Sequence, residues 1–177
     1  MGDIQDLIVC NVSGMNVQEL RSQAKKWHSR GHKMFAYNAP QGGPEDPELW
    51  RRKYGLFRWK GHLDGFSTWT YYSAFGNPWN DFDSPRRWRD HNLAYPTADG
   101  VVDTIALAGF REGLDDIRYA TTLKLAIRRA LQKGDQGLRR TAEEAAKWLE
   151  QTDMTSADLS EVRGRMIDYI LKLKGKK

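Results

Sequence analysis

The sequence predicts an α/β fold in which a parallel sheet precedes a helical C-terminal region. Short apolar runs alternate with segments whose apolar residues recur every three or four positions. Successive strand-and-helix pairs follow one another at intervals of about 25 to 30 residues, which is typical of βαβ units and a parallel sheet. From Thr104 onward the apolar spacing is helical, so the remainder of the chain is predicted to be all helix.

The first βα unit begins with a run rich in β-branched residues, DLIVCNVS at positions 6–13. A short continuous apolar run of this kind is typical of a strand that is buried on both faces. Gly14 ends the strand, and Asn16 has a side chain suited to cap the helix that follows. One face of that helix carries Val17, Leu20, Ala24 and Trp27.

The second and third strands follow the same pattern. The run KMFAYN at positions 33–38 predicts the second strand. Asp46 and Pro47 predict the start of the next helix, as its N-cap and its first helical residue. The apolar residues of this helix are Leu49, Trp50, Tyr54 and Phe57. Asp64 and Gly65 then turn the chain into a third predicted strand, FSTWTYY.

A long loop is predicted from Ser73 to about Asp103. Loops of this length inside a compact domain are usually functional or disordered. The aromatic and imidazole side chains in this loop argue against disorder, and they are Trp79, Trp88, His91 and Tyr95.

Three helices are predicted after the loop. The first runs to Gly134, and Asp135 has the side chain to cap the second. Thr155 and Asp158 have the spacing of a capping box before the third helix. The last two helices are expected to form an αα-hairpin.

Three parallel strands with helices between them leave one sheet edge open and apolar, which natural proteins avoid. We therefore expect the sheet to be completed, either by further strands of the same protein or by another chain. If it is not completed, the open edge predicts poor solubility or self-association.

Composition and the single cysteine exclude several classes of protein. The 177 residues are 40% hydrophobic and 29% charged, which is a globular composition and not a disordered one. No apolar run approaches the roughly 20 residues that span a bilayer, and the acidic N-terminus does not resemble a signal peptide. We expect no membrane partner, and the cellular location stays open. Cys10 is predicted to be a buried, inert thiol; a reactive nucleophile is the alternative.

The basic charge and the histidines raise two further alternatives. The net charge of +5 is compatible with nucleic-acid binding, but no nucleic-acid motif accompanies it. Solvated helix faces and the basic tail LKLKGKK account for the charge, so we expect no nucleic-acid partner. His28 and His32 have the spacing of a zinc-binding pair, but Gly31 breaks the helix between them and no third ligand follows. We expect neither a metal nor another cofactor.

Four stretches of the chain, in order, carry a family resemblance. A strand KMFAYN comes first. A helix then ends in W-K-x-x-x-x-D-G and leads into a strand with a tryptophan, at Trp59, Lys60, Asp64, Gly65 and Trp69. An N-P-W stretch follows at Asn77, Pro78 and Trp79. A Y-P pair then precedes a helix with R-E-G-x-x-D, at Tyr95, Pro96, Arg111, Glu112, Gly113 and Asp116. Together they resemble the C-terminal part of the domain of unknown function 4091, which overlaps the catalytic barrel of glycoside hydrolase family 123. The resemblance covers roughly Leu7 to Ala130.

The resemblance implies a partial (β/α)8 TIM barrel of about the last three βα units. Positions 1–133 would be this portion of a glycosidase-like barrel, and positions 134–177 a helical hairpin extension. Such barrels carry their chemistry on loops at the C-terminal ends of the strands. The implied activity of the parent protein is β-N-acetylgalactosaminidase, in which an adjacent Asp-Glu pair works with the substrate's own acetamido group.

The sequence departs from that family where the chemistry is expected. No predicted strand ends in adjacent Asp and Glu. Ala106 and Ala108 stand near the start of the long helix, where the family has an Arg and an acidic residue. The expected function is therefore that of a C-terminal portion that lines the sugar subsites without the catalytic pair, with the catalytic residues unknown. The alternative is a non-catalytic module that binds a carbohydrate or another partner. The expected partners of the chain are a carbohydrate and either the missing N-terminal half of the barrel or a second copy of the chain.

Five residues are predicted to bind the sugar. Trp69 and Tyr71 alternate with threonines and so share one face of the predicted third strand, where stacking on a sugar and ordinary core packing are the two interpretations. Tyr37 and Asn38 end the second strand and are expected at the same rim. Trp79 follows a proline in the loop, and loop aromatics favour binding over core packing.

The acidic and basic residues have simpler interpretations. Asp81 and Asp83 lie in the same loop as Trp79, where either a general acid or a turn cap is possible. Asp64 precedes its strand, on the stability side of a barrel, and is predicted to be structural. The charged residues of the long helix predict either a buried ion network or a solvated face, and they are Arg111, Glu112, Asp115 and Asp116.

Overall fold

The computed structural model describes residues 5–37, 45–85 and 89–175, and within them the chain is mixed α/β. The chain divides into two compact units, the first ending at Gly113 and the second beginning at Leu114. This division lies inside a long helix, whereas the boundary predicted at residue 133 lies at the end of that helix. None of the described helices is long and apolar enough to cross a membrane.

A three-stranded parallel sheet forms the centre of the first unit, as the alternation of strand and helix predicts. Its strands are β1 (Leu7–Asn11), β2 (Lys33–Tyr37) and β3 (Gly65–Ser67), in that spatial order. Val9 pairs with Phe35, and Phe35 pairs with Gly65. A Cβ atom at position 65 would lie 2.5 Å from the Phe35 ring, so the glycine lets that ring lie across the neighbouring strand.

The third strand is shorter than predicted, because it ends at Ser67 and does not continue through Tyr72. The Thr68 hydroxyl donates to the Thr70 carbonyl, and the Thr70 hydroxyl donates to the Tyr72 carbonyl over 3.0 Å. Such local bonds compete with a strand ladder for the backbone. The prediction that Trp69 and Tyr71 share a strand face is therefore wrong.

Three helices connect these strands: α1 (Val17–His28), α2 (Pro47–Tyr54) and α3 (Leu56–Lys60). Asn16 and Glu19 form a reciprocal capping box at the start of α1, with bonds of 2.9 and 2.8 Å. Asp46 caps α2 by accepting from the Leu49 N–H over 3.0 Å, and Pro47 is the first helical residue, as predicted. The predicted single helix through Phe57 is divided at Gly55.

Helices α1 and α2 pack on the same face of the sheet. Met34 and Ala36 of β2 lie buried beneath Leu20 and Ala24 of α1. Phe66 of β3 packs beneath α2 and the start of the next helix, among Trp50, Tyr54, Ala106, Leu107 and Phe110.

In the described structure the β1 side chains on the opposite face of the sheet are exposed, so the prediction that the first strand is buried on both faces is wrong. Leu7 and Val9 are 43% and 54% exposed, while Ile8 and Cys10, on the other face, pack against the core. Cys10 is thus partly buried, and burial raises the pKa of its thiol although Arg58 lowers it. That environment supports the inert interpretation of Cys10.

The predicted long loop contains two small antiparallel sheets. β4 (Tyr72–Ser73) pairs with β5 (His91–Asn92), and β6 (Ala94–Pro96) pairs with β7 (Val101–Asp103). The loop is therefore ordered in its described part, as its aromatic content predicts.

Helix α4 (Ile105–Gln132) begins in the first unit and continues into the second, which also contains α5 (Gln136–Gln151) and α6 (Leu159–Leu173). Asp135 caps α5 as predicted, by accepting from the Leu138 N–H. Asp158 caps α6 directly, whereas Thr155 bonds to Asp153 and does not form the predicted capping box.

The second unit is held by packing between the last two helices, as expected for the predicted hairpin. The rings of Trp148 and Tyr169 lie 5.5 Å apart, and the Arg165 guanidinium lies 4.9 Å from the Trp148 ring. Asp116 is fully buried and bonds to Arg163 over 2.6 Å. Arg111 and Asp115 form exposed pairs with Asp103 and Arg118 respectively. Of the charged residues between Arg111 and Asp116, the buried Asp116 carboxylate thus forms an ion pair with a partly exposed arginine, and the others lie on a solvated face.

Candidate functional site

The candidate site lies in the segments that leave the C-terminal ends of β2 and β3. Glu45 belongs to the segment after β2, and residues 68–104 form the segment after β3. In open parallel sheets and in barrels, ligands bind outside the carboxyl ends of the strands. Side chains that come together here are therefore the first candidates for function.

Asp81 lies at the centre of a buried hydrogen-bond network in this segment, with a side chain that is 6% exposed. Its Oδ2 atom accepts from the Nε and Nη2 atoms of Arg89, over 2.8 and 2.7 Å, and from the Tyr95 hydroxyl over 2.8 Å. Its Oδ1 atom accepts from the Asn92 amide over 3.0 Å. Both carboxylate oxygens are therefore occupied within the protein.

Glu45 joins the segment after β2 to this network. One of its carboxylate oxygens bonds to Nη2 of Arg89, and the other accepts from the backbone N–H of Ile105 over 3.2 Å. Burial alone would lower the pKa of Arg89, but its hydrogen bonds to Asp81 and Glu45 outweigh burial and raise it. The guanidinium therefore remains charged and links both segments to the start of α4.

Trp79 carries an exposed indole that contacts this network through Tyr95. Its ring stacks on the Tyr95 ring, with centroids 5.2 Å apart and planes inclined by 16°. The indole is still 55% exposed. Its backbone N–H donates to the Asn77 side chain over 3.0 Å, which fixes the Asn-Pro-Trp turn. An exposed ring is thus supported by a tyrosine that is itself bonded to Asp81.

Trp69 forms a second exposed aromatic position beside β5. Its ring centroid lies 4.9 Å from that of His91, and the residue is 56% exposed. Burial lowers the pKa of His91, although the nearby Asp90 raises it, so the imidazole is neutral at pH 7. Tyr71 is also exposed, and its carbonyl accepts from the Leu93 N–H over 3.0 Å.

The same loop holds buried polar atoms without partners. Oδ2 of Asp90 accepts from the Phe75 N–H over 3.0 Å. Oδ1 of Asp90 and Oδ1 of Asn92 are buried and have no hydrogen-bond partner among the described residues. Unsatisfied buried polar atoms are uncommon in native proteins and tend to coincide with functional or strained regions.

The five predicted binding residues are only partly brought together. Trp69 and Trp79 contact rings of the same short segment, since His91 and Tyr95 are four residues apart. Tyr71 lies beside that segment, while Tyr37 ends β2 and is partly buried. Asn38 lies outside the described residues.

Sequence reasoning missed the polar network behind the aromatics. Arg89, Asn92 and Glu45 were not predicted to act with Asp81, because they lie up to 44 positions apart with no regular spacing. The available signal was the density of polar residues between Trp79 and Tyr95, inside a loop that is otherwise aromatic.

The other residues considered for catalysis or metal binding, Asp83, Asp64 and His28, have hydrogen-bond partners within the fold. Asp83 accepts from the Asn77 N–H over 2.7 Å, as a turn cap does. Asp64 accepts from the Met34 N–H over 2.8 Å and lies 2.7 Å from Nε2 of His28. His28 thus contacts Asp64. Among the described residues, no cluster of three or more His, Cys, Asp or Glu side chains could hold a metal ion.

No protein-family model matches this sequence, and no curated protein matches it significantly.

Proposed function

We propose that the first unit is the C-terminal portion of a glycosidase-like (β/α)8 barrel, and that the aromatic surface after β3 binds a carbohydrate. The observation that carries the proposal is the Trp79 indole, which is exposed, stacked on Tyr95 and anchored through Tyr95 to the buried Asp81. Trp69 and Tyr71 are exposed in the same segment of the chain, and we assign them to the same surface.

The sheet supports the barrel part of the proposal. Its three strands are parallel and follow one another in sequence order, and in the described part of the chain the helices of the first unit pack on a single face. In a (β/α)8 barrel, helices cover the outer face of the sheet while the inner face lines the barrel interior. The exposed apolar side chains of Leu7 and Val9 fit an inner face that further βα units of the same barrel would cover. Those units are the proposed partner of this chain.

Carbohydrate suits the aromatic surface because sugars present apolar C–H faces with polar edges. An indole that is held flat by a stacked tyrosine offers a rigid platform at little cost in side-chain entropy. The neutral His91 beside Trp69 can hydrogen-bond to a hydroxyl group at the edge of a sugar ring. Aromatic walls with a few fixed polar groups are the usual composition of small-ligand sites.

Asp81 serves this surface as a positioning residue and not as an acid. A general acid must present a proton to the glycosidic oxygen, but both Asp81 oxygens accept bonds from neighbouring side chains. We therefore expect no hydrolysis of a chromogenic β-N-acetylgalactosaminide by this chain alone. Turnover that disappears in Asp81→Asn or Asp83→Asn would contradict this assignment.

Calorimetric titration with methyl β-N-acetylgalactosaminide and with longer β-linked oligosaccharides tests the binding. Trp79→Ala should weaken the affinity by about tenfold, which is ~1.4 kcal/mol, because it removes the stacking platform. Phe82→Ala is the matched control, since Phe82 lies in the same loop and is 66% exposed. Absence of measurable binding to any of these sugars, or equal losses in the two variants, would refute the carbohydrate proposal.

A further inference from the structure

A groove lies between the C-terminal turns of α4 and the end of α6, within the second unit. Its volume is about 500 Å³. The floor is apolar and is formed by Leu125, Ala126 and Ala130 of α4 with Leu173 of α6. Leu125 is exposed on this floor, and two further leucines near the same helix ends, Leu131 and Leu171, are also exposed.

The rim of the groove is basic. Arg129, Lys133 and Lys174 line it, and none of its lining residues, all within the described part of the chain, is acidic. The segment from Leu114 to Lys177 contains 14 basic and 10 acidic residues. A ligand that fills the groove should therefore carry negative charge, and a second copy of this basic segment is disfavoured.

The shape of the groove suits a helix. The α4 residues that line it run from Thr122 to Gln132, which corresponds to about 15 Å or nearly three helical turns at the usual rise, and Lys133 directly follows the helix. Ala126 and Ala130 are one turn apart, so two successive turns of the helix present only a small side chain to the groove. Small side chains in this arrangement let the ridge of another helix approach closely.

We propose that this groove binds an acidic amphipathic helix of about three turns that belongs to a partner protein. The apolar face of that helix would contact Leu125, Ala126 and Leu173. Its acidic flanks would face Arg129, Lys133 and Lys174. The groove shares no residue with the proposed carbohydrate surface, because every residue that lines the groove belongs to the second unit.

Two other anionic ligands fit the groove less well. Single-stranded nucleic acid is usually held by aromatic side chains on which the bases stack, and no aromatic residue lines the groove. Membrane-surface helices insert a projecting apolar face into lipid, whereas the apolar residues here line a concave groove.

Selection of peptides on the full-length protein tests this proposal without prior choice of a sequence. A displayed library of helix-forming peptides about 15 residues long, unbiased in charge, spans three to four turns. The recovered peptides should be amphipathic and acidic. Their affinity should fall by about tenfold in Arg129→Gln/Lys133→Gln.

The double variant Arg139→Gln/Arg140→Gln is the matched control, because it removes the same charge from exposed positions on α5. It should change the affinity by less than about twofold. Failure to enrich any peptide, enrichment of neutral or basic peptides, or equal effects of the two variants would overturn the proposal. Groove-dependent binding of phosphatidylglycerol vesicles or of a single-stranded oligonucleotide, with no peptide bound, would also overturn it.

Discussion

Asp81 illustrates how a single residue organises the loop after β3. Sequence reasoning could identify it only as a turn cap or a general acid, because its partners are scattered along the chain. In the structure it accepts four hydrogen bonds from three side chains. The exposed aromatics nearby could be predicted from their position in a loop, but the network that supports them depends on tertiary contacts.

Asp81→Ala should destabilise the protein by about 3 kcal/mol, because it removes one of the two counter-ions of the buried Arg89 and the acceptor of the Asn92 and Tyr95 side chains. The measurement is the free energy of unfolding from urea titration. Asp99→Ala, at an exposed position in the turn between β6 and β7, is the control and should change stability by less than about 0.5 kcal/mol. Similar stabilities of the two variants would show that the network contributes little.

Asp64 predicts a specific dependence of stability on pH. Burial raises its pKa, but the hydrogen bonds from Met34 and His28 outweigh burial, so its folded-state pKa lies below the ordinary value. A depressed carboxyl pKa stabilises the fold above the unfolded-state pKa of about 3.9, and this contribution is lost as the pH falls through the folded-state value.

The wild-type protein should therefore lose more stability between pH 5 and pH 3 than Asp64→Asn does, as measured by urea midpoints. His28→Ala should reduce the difference, since it removes one of the two bonds to the Asp64 carboxylate. Identical pH dependence in the wild type and in Asp64→Asn would contradict the role of this carboxylate.

At the scale of elements, the contact between α2 and the start of α4 depends on glycines one helical turn apart. A Cβ atom at Gly109 would lie 2.1 Å from the Pro47 carbonyl oxygen. A Cβ atom at Gly113 would lie 2.7 Å from the Arg51 carbonyl oxygen. Gly113 belongs to the R-E-G-x-x-D stretch, so this motif contains a packing glycine as well as the buried Asp116.

Gly109→Ala should cost about 1 to 3 kcal/mol of stability, because the added methyl group has to displace backbone atoms. Gly164→Ala is the matched control in α6, where an added Cβ meets nothing within 4 Å. That change should stabilise the protein by about 0.5 to 1 kcal/mol through helix propensity and unfolded-state entropy. Thermal unfolding of both variants measures the difference, and a neutral Gly109→Ala would refute the close approach.

Local chemistry determined which elements could be predicted from the sequence. The caps of α1, α2 and α5 follow from Asn16, Asp46 and Asp135, because each cap is formed by a bond within three residues. The short β3 and the break at Gly55 were not predicted. The first depends on two threonine side chains that bond to the backbone two residues further on. At the second, a Cβ atom at position 55 would lie 2.9 Å from the Cα atom of Gly113 in α4.

At the scale of the whole molecule, the open face of the sheet is the largest departure from an ordinary globular domain. The apolar run at positions 6–13 predicted that the first strand is buried on both faces. In the described chain, only one face is covered by helices. The apolar pattern and the exposure agree if other βα units cover the second face, as proposed for the barrel.

Substitutions on alternate residues of β1 test this interpretation. Val9→Lys should reduce self-association, measured by analytical ultracentrifugation, with little loss of stability, because Val9 is exposed. Ile8→Lys should unfold the protein, because Ile8 packs against the core on the covered face. Equal effects of the two substitutions would contradict the assignment of the faces.

The most direct test of the central claim uses the indole N–H signals of the seven tryptophans in a ¹H–¹⁵N NMR titration with β-linked N-acetylgalactosaminides. The proposed surface predicts that the signals of Trp69 and Trp79 shift with added sugar. The signals of Trp27, Trp50, Trp59 and Trp148 should stay in place. Shifts confined to those four tryptophans, or no shift in any signal at saturating sugar, would contradict a carbohydrate site at the carboxyl edge of the sheet.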